Sequence, residues 1–182
     1  MDRMWLVLLL EKAEWLRKRI SLLYKFFLNI FIKIRVGRAG QLPLRLTAIH
    51  LENWRNFTLA HVELQQRVFL VGPNAAGKSN LLDAFRFLQD IVAVGGGFQE
   101  AVRKRGGVSK LRSLAARRYP DVAIQVDIGN DEEPKAWTYE LRFVQDNRQR
   151  PMIKRERVAK AGKNIIVRPD EKDSSDLERL TQ

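Results

Sequence analysis

The sequence predicts an α/β fold in which a strand, a glycine-rich loop and a helix form the core, with an antiparallel β lobe attached. An apolar run at residues 67–71 leads directly into the glycine loop and is typical of a strand buried on both faces. Residues 80–92 follow with helical periodicity, and one face of that helix collects Leu81, Leu82, Phe85, Leu88 and Ile91/Val92. Beyond residue 120, apolar and polar residues alternate in short segments separated by turns.

The other predicted elements flank this unit. Residues 44–51 read as a first strand and residues 58–64 as a second, joined by a polar turn with aromatic anchors at 52–57. Three consecutive glycines, Gly95 to Gly97, end the helix. Alternation then predicts four strands at 122–128, 137–143, 152–158 and 164–167, with turns at 129–134, 146–150 and 161–162. Antiparallel hairpins are the expected result.

Composition narrows the chemistry. The 182 residues contain no cysteine, which excludes disulfides, thiolate metal sites and cysteine nucleophiles. Only two histidines are present, which argues against a histidine-rich metal site. Of the net charge of +12, residues 1–45 carry +7, because they hold ten of the 33 Lys/Arg and three of the 21 Asp/Glu. The rest of the chain is only mildly basic, so global charge alone is weak support for nucleic-acid binding.

The ends of the chain differ from its middle. Residues 1–40 form a basic, hydrophobic extension that reads as helical, but neither of its apolar runs reaches the ~18 residues needed to span a bilayer. Residues 1–36 could lie on a membrane surface or pack against a partner, or the extension could stand outside the functional domain altogether. We expect the domain itself at 44–168, after the boundary marked by Gly37, Gly40 and Pro43, and a frayed tail at 169–182.

The glycine loop carries the chemistry. Gly72-Pro73-Asn74-Ala75-Ala76-Gly77-Lys78-Ser79 satisfies the P-loop pattern, in which backbone N–H groups and a helix N-terminus cradle phosphates. Lys78 is predicted to reach the β- and γ-phosphates, Ser79 to bind Mg²⁺, and Asn74 to approach the γ-phosphate or a bridging water. The sequence therefore predicts a partial P-loop NTPase core that binds ATP with Mg²⁺.

The same residues carry a resemblance. The turn Asn53-Trp54-Arg55-Asn56-Phe57, two strands, and then Gly72 to Ala84 together resemble the N-terminal part of ATPases of the RecF/SMC type, which are ABC-like and often catalogued as AAA ATPases. The resemblance covers residues 44–167. It implies that Asn53, Arg55 and Asn56 lie near the α-phosphate or ribose of the nucleotide, and that Asn80 belongs to the binding loop. It also implies ATP hydrolysis, with head-to-head association as a homodimer or with a complementing chain.

The sequence departs from that family pattern in its second half. The acidic strand end, the signature loop and the switch histidine of a complete head have no counterpart after Ser79, and Asp131-Glu132-Glu133 reads as a turn. Because phosphoryl transfer depends on charges placed around the γ-phosphate, we expect this chain to be inactive as an ATPase alone.

A basic stretch follows the helix. Residues 103–118 hold seven positive charges and no acid: Arg103, Lys104, Arg105, Lys110, Arg112, Arg117 and Arg118. These residues could contact the phosphate backbone of DNA, or a nucleotide or partner head, or they could form a solvated loop and short helix.

Three functional hypotheses remain at this point. The first is an ATPase head linked to DNA repair or phage defence. The second is a non-catalytic nucleotide-binding module, or a truncated fragment that needs a partner chain or membrane attachment. A small-molecule kinase is disfavoured by the antiparallel lobe and the lack of a lid motif. The expected location is cytoplasmic, with a peripheral membrane protein as the alternative.

Overall fold

The structure, a computed structural model, describes residues 44–116 and 120–170. Its centre is a six-stranded sheet in the order β2-β1-β3-β4-β5-β6, in which every neighbouring pair is antiparallel. The strands are β1 (Arg45–Trp54), β2 (Phe57–Glu63), β3 (Val122–Gly129), β4 (Trp137–Gln145), β5 (Pro151–Lys160) and β6 (Lys163–Arg168). The two strands predicted at 44–51 and 58–64 are confirmed, as are the four strands and the hairpins predicted from alternation.

Helices cover one face of the sheet. They are α1 (Lys78–Val92), α2 (Phe98–Arg103) and α3 (Val108–Leu111). An aromatic chain joins the layers: Trp54 meets Phe87 edge-on at 5.2 Å between ring centroids, Phe87 stacks on Phe143 at 5.7 Å, and Phe98 meets Phe143 at 5.2 Å. Aromatic pairs at these separations add to the free energy gained from burial alone. The core therefore fixes α1, and with it the end of the glycine loop, against β1 and β4.

The buried face of α1 differs in detail from the prediction. Its buried residues are Leu81, Ala84, Phe87, Leu88 and Ile91, while Phe85 and Val92 are only partly buried. Leu82 was expected in the core but its side chain is 43% exposed. Leu82 lies 100° around the helix from Leu81, outside the stripe at positions 81, 84, 88 and 91 that faces the sheet.

The predicted buried strand at 67–71 is wrong. Residues 64–73 have no regular secondary structure, and Phe69 and Val71 are 85% and 92% exposed. A strand forms only where a neighbour pairs with its backbone, and none of the six strands described does so. The apolar pattern is typical of a buried strand, but the described part of the chain supplies no partner strand for it.

Two regions of interest lie outside the described residues. They are the predicted helical extension at 1–40 and residues 171–182 of the predicted tail, so the domain limits of 44–168 stay a prediction. Among the helices that are described, none is long and apolar enough to cross a membrane.

Candidate nucleotide-binding site

The glycine loop ends where α1 begins. Gly77 is the N-cap residue, with φ of 97°, and a Cβ at this position would lie 2.7 Å from Asn56 Nδ2 and 2.8 Å from Phe57 Cζ. Glycine is therefore required twice, for its left-handed backbone and for the close approach of the β1–β2 turn. Ala75 also has a positive φ, of 65°. The loop is thus held in a conformation that ordinary residues rarely adopt.

The N-terminus of α1 suits an anion. The first intrahelical bond found here runs from Leu81 N to Gly77 O at 2.9 Å, so the N–H groups of residues 78–80 have no acceptor within the helix. No side chain caps this end and no acidic residue lies in the first turn. In a helix of 15 residues the aligned peptide dipoles add partial positive charge at this end. These features favour a phosphate group here.

Lys78 lies across the loop. Its ammonium donates hydrogen bonds to the carbonyl oxygens of Gly72 and Pro73, both at 2.7 Å. The side chain is thus already folded towards the residues that would surround a phosphate. Ser79, the predicted Mg²⁺ ligand, is exposed beside it, and Asn74 lies at the exposed crown of the loop.

The Asn-x-Arg-Asn-Phe turn braces the start of α1. Asn80 Nδ2 donates to Asn56 Oδ1 at 2.7 Å, and Trp54 Nε1 donates to the Asn80 carbonyl at 2.9 Å. Together with the packing of Gly77 on Phe57, these bonds join the β1–β2 turn to the loop. The structure therefore brings the two separated motifs of the sequence into direct contact.

Arg55 and Asn53 face other partners. The Arg55 guanidinium contacts Asp83 Oδ2 through Nη2 at 2.9 Å and Nε at 3.2 Å, and donates to the Lys110 carbonyl at 3.1 Å. Asn53 Nδ2 donates to the Asp121 carbonyl at 2.8 Å. Direct contact between Arg55 and a nucleotide would require its guanidinium to leave Asp83.

Part of the basic stretch forms ion pairs with α1 and is not fully exposed. Arg105 is only 7% exposed: Nε contacts Asp83 Oδ1 at 2.9 Å, Nη1 contacts Asp90 Oδ2 at 2.8 Å, and the guanidinium carbon lies 5.2 Å from the centre of the Phe87 ring. Lys104 Nζ also contacts Asp90, at 2.9 Å. Burial opposes ionisation of Asp90, but hydrogen bonds from Lys104 and Arg105 outweigh it and lower the pKa of the carboxyl.

The remaining basic residues divide by position. Arg103 is 76% exposed and pairs with Glu100 at 2.7 Å within α2, Lys110 is exposed and Arg112 is half-buried. Arg117 and Arg118 lie outside the described residues. Arg103 and Lys110 are thus the members of the set best placed to meet an external polyanion.

Asp83 links two segments that the sequence alone does not connect. Its two carboxylate oxygens bind Arg55 from the β1–β2 turn and Arg105 from the basic stretch, so one acid on α1 joins both to the loop. The available signal was an acid five residues after Lys78 in a chain rich in nearby arginines. That signal shows a partner is needed but not which arginine supplies it.

Comparison with known proteins decides the family. Residues 67–180 match the family model described as "AAA domain, putative AbiEii toxin, Type IV TA system", which covers more than half of the chain. The chain belongs to this AAA family. The AAA assignment predicted from the two motifs is confirmed, and the glycine loop at 72–79 lies within the matched residues.

Parts of this AAA chain are also similar to two proteins described as RecF. A DNA replication and repair protein RecF from Picosynechococcus sp. (strain ATCC 27264 / PCC 7002 / PR-6) is 45% identical over 47 residues, which are 25% of this chain and 12% of that protein. A solved structure, described as the recombination mediator protein RecF-ATPrS in the RecFOR pathway, matches 70% of this chain and 29% of its own with 23% identity and a TM-score of 0.43. The AAA chain thus spans well under half the length of either relative.

Proposed function

We propose that this AAA chain binds ATP with Mg²⁺ through residues 72–79. The observation that carries the proposal is the N-terminus of α1: three N–H groups without intrahelical acceptors, no acid in the first turn, and Lys78 folded over the loop. The backbone N–H groups and Lys78 bind the phosphates, and the Ser79 hydroxyl binds Mg²⁺. Lys78 exchanges its two carbonyl partners for phosphate oxygens on binding.

The central experiment measures nucleotide affinity by calorimetry, with and without Mg²⁺. Lys78→Ala should weaken ATP binding at least tenfold, because it removes a charge-assisted contact worth about 1.5–3 kcal/mol. Lys163→Ala is the matched control, since this exposed lysine on β6 lies far along the sheet from the loop. Equal affinities for the wild-type chain and Lys78→Ala would show that the loop does not bind the phosphates.

For hydrolysis we infer that groups beyond residues 44–170 are needed. Within these described residues, the acidic groups nearest in sequence to Lys78 on α1 are Asp83 and Asp90, and both are engaged by arginine. Neither is placed at the end of a strand beside the loop. The acidic strand, signature loop and switch histidine would come from a further part of the head or from a second chain. Purified chain that turns over ATP at a rate abolished by Lys78→Ala would contradict this inference.

The exposed segment at 67–71 favours a second candidate, a nucleotide-binding module completed by another chain. Its apolar residues, including Phe69 and Val71, are those of a buried strand, yet they are exposed here. Size-exclusion chromatography with light scattering, with and without Mg-ATP, distinguishes a homodimer from a chain that needs a different partner. Membrane attachment through residues 1–36 is tested separately by liposome flotation of the chain with and without residues 1–40.

A role in DNA repair or phage defence, with DNA contact, belongs to the same proposal. Exposed Arg103 and Lys110 are the contacts we infer, whereas Arg105 is held by Asp83 and Asp90. Replacing Arg103 and Lys110 by alanine should lower DNA affinity and reduce the salt slope of log K by about 2. An unchanged slope would remove DNA from the proposal and leave nucleotide binding intact.

A further inference from the structure

The two histidines of the chain form a cross-strand pair. His50 on β1 lies directly opposite His61 on β2 in the antiparallel register. Their ring centroids are 4.1 Å apart, the rings are inclined by 30°, and the two Nδ1 atoms are 3.0 Å apart. The two rings therefore share one environment, and a positive charge on one acts directly on the other.

Charged groups surround the pair. Asp127 on β3 is fully buried, with Oδ1 accepting from Thr138 Oγ1 at 2.8 Å and Oδ2 lying 3.7 Å from His50 Nε2. Lys135 Nζ is 3.5 Å from the same Oδ2, and Glu63 Oε1 is 3.9 Å from His61 Nε2. Asp127 Oδ2 and His50 Nε2 are buried without a hydrogen-bond partner. The buried carboxylate attracts a positive charge on His50, but the burial of His50 outweighs that attraction.

The arrangement does not fit a metal centre. Residues 44–116 and 120–170 contain no group of three or more His, Asp or Glu able to hold an ion. The two Nδ1 atoms lie 3.0 Å apart, at hydrogen-bond distance, so one ring can donate to the other. The pair is therefore better suited to bind protons.

A second proton is costly at this spacing. With one Nδ1 protonated, the other can accept, but with both protonated two N–H groups and two positive charges face each other about 4 Å apart. The pKa of His50 is lowered from its ordinary value, first by burial and then by the positive charge of His61 and of Lys135, while Asp127 opposes the shift. Since the unfolded chain protonates His50 more readily, stability at this end of the hairpin is present above about pH 6.5 and falls as the pH falls.

We propose that the His50–His61 pair is a proton-sensitive clasp on the β1–β2 hairpin. Double protonation weakens the pairing around His50 and His61, at the end of the hairpin remote from its Asn56 turn. β2 continues through residues 64–71 into the P-loop, so opening this end frees the chain leading to the site. His61 lines an open cleft of about 630 Å³, through which solvent protons reach the pair. The proposal is independent of whether the loop binds ATP.

The test is hydrogen exchange of backbone amides, corrected for intrinsic rates, at pH 7.5 and pH 5. Protection of the β2 amides should fall about tenfold at pH 5, because the opened hairpin binds protons more readily than the closed one. Amides of β4 in the same sample are the internal control and should change little. His61→Gln removes the charge of His61 but not the burial of His50, so its β2 protection should depend less on pH over this range than in the wild-type chain.

Two results would overturn the clasp. One is a loss of β2 protection in His61→Gln as large as in the wild-type chain. The other comes from the wild-type chain alone, by NMR titration of ¹⁵N-labelled imidazoles. The clasp requires His50 to take up its proton below the ordinary histidine value, and a His50 midpoint at or above that value would refute it.

Discussion

Gly77→Ala is the substitution that tests the geometry of the loop most directly. The new methyl group would enter a space bounded by Asn56 Nδ2 at 2.7 Å and Phe57 Cζ at 2.8 Å, distances at which the neighbours must move. Overpacking of this kind costs about 1–3 kcal/mol, and holding a non-glycine residue at φ of 97° costs about 1–2 kcal/mol. Together the expected loss of about 2–5 kcal/mol is a large part of the 5–15 kcal/mol typical of a domain.

Gly162→Ala separates the two costs. Gly162 has φ of 77° in the β5–β6 turn, and a Cβ there would meet nothing within 4 Å. This control carries the backbone cost without the clash, so it should lose only about 1–2 kcal/mol. The assay is urea unfolding followed by far-UV circular dichroism, together with ATP calorimetry. Gly77→Ala should be the less stable variant and should bind ATP more weakly than the control. Equal losses in the two variants would show that the β1–β2 turn does not restrict the loop.

Further predictions concern neighbouring groups. Arg105→Ala should lower the free energy of unfolding by about 1–3 kcal/mol, because it removes one of the two basic partners from each of two half-buried carboxylates, and denaturant titration measures this. Because folding lowers the pKa of Asp90, the ionised carboxylate stabilises the fold above about pH 4, and this stabilisation is lost as the pH falls further. Arg105→Ala should raise the pKa of Asp90, which a carboxyl NMR titration measures. Phe69→Ser and Val71→Ser should change the stability of the isolated chain by less than about 0.5 kcal/mol, since both side chains are exposed, whereas a loss of 2 kcal/mol or more would place them in a core. Ser79→Ala should preserve ATP binding without metal and remove its enhancement by Mg²⁺, as seen by calorimetry in EDTA and in Mg²⁺.

The sheet and the loop could be predicted because their signals are local. Alternation of apolar and polar residues at 122–128 and 137–143 indicates strands with one buried face. The turn residues between these segments indicate hairpins. The P-loop pattern is equally local, since each residue acts through its own backbone or side chain. Its positive φ at Gly77 follows from the sequence motif itself.

Other features depended on partners distant in sequence. An apolar run at 67–71 shows that a strand would be stable between two neighbours, but it does not say whether those neighbours are present. The inward position of Arg105 depends on Asp83 and Asp90, which lie 22 and 15 residues away on another element. A basic run is the same in sequence whether its charges meet solvent, DNA or buried acids.

The fluorescence of Trp54 offers a direct way to follow ligand binding at the loop. Its indole is fully buried and bonded to the carbonyl of Asn80 in the first turn of α1, immediately after Ser79. A ligand that draws the first turn towards itself changes the length of that bond and the polarity around the indole. Emission from Trp54 can therefore follow occupancy of the loop in real time without a dye, provided that Trp5, Trp15 and Trp137 are replaced by phenylalanine to remove their background.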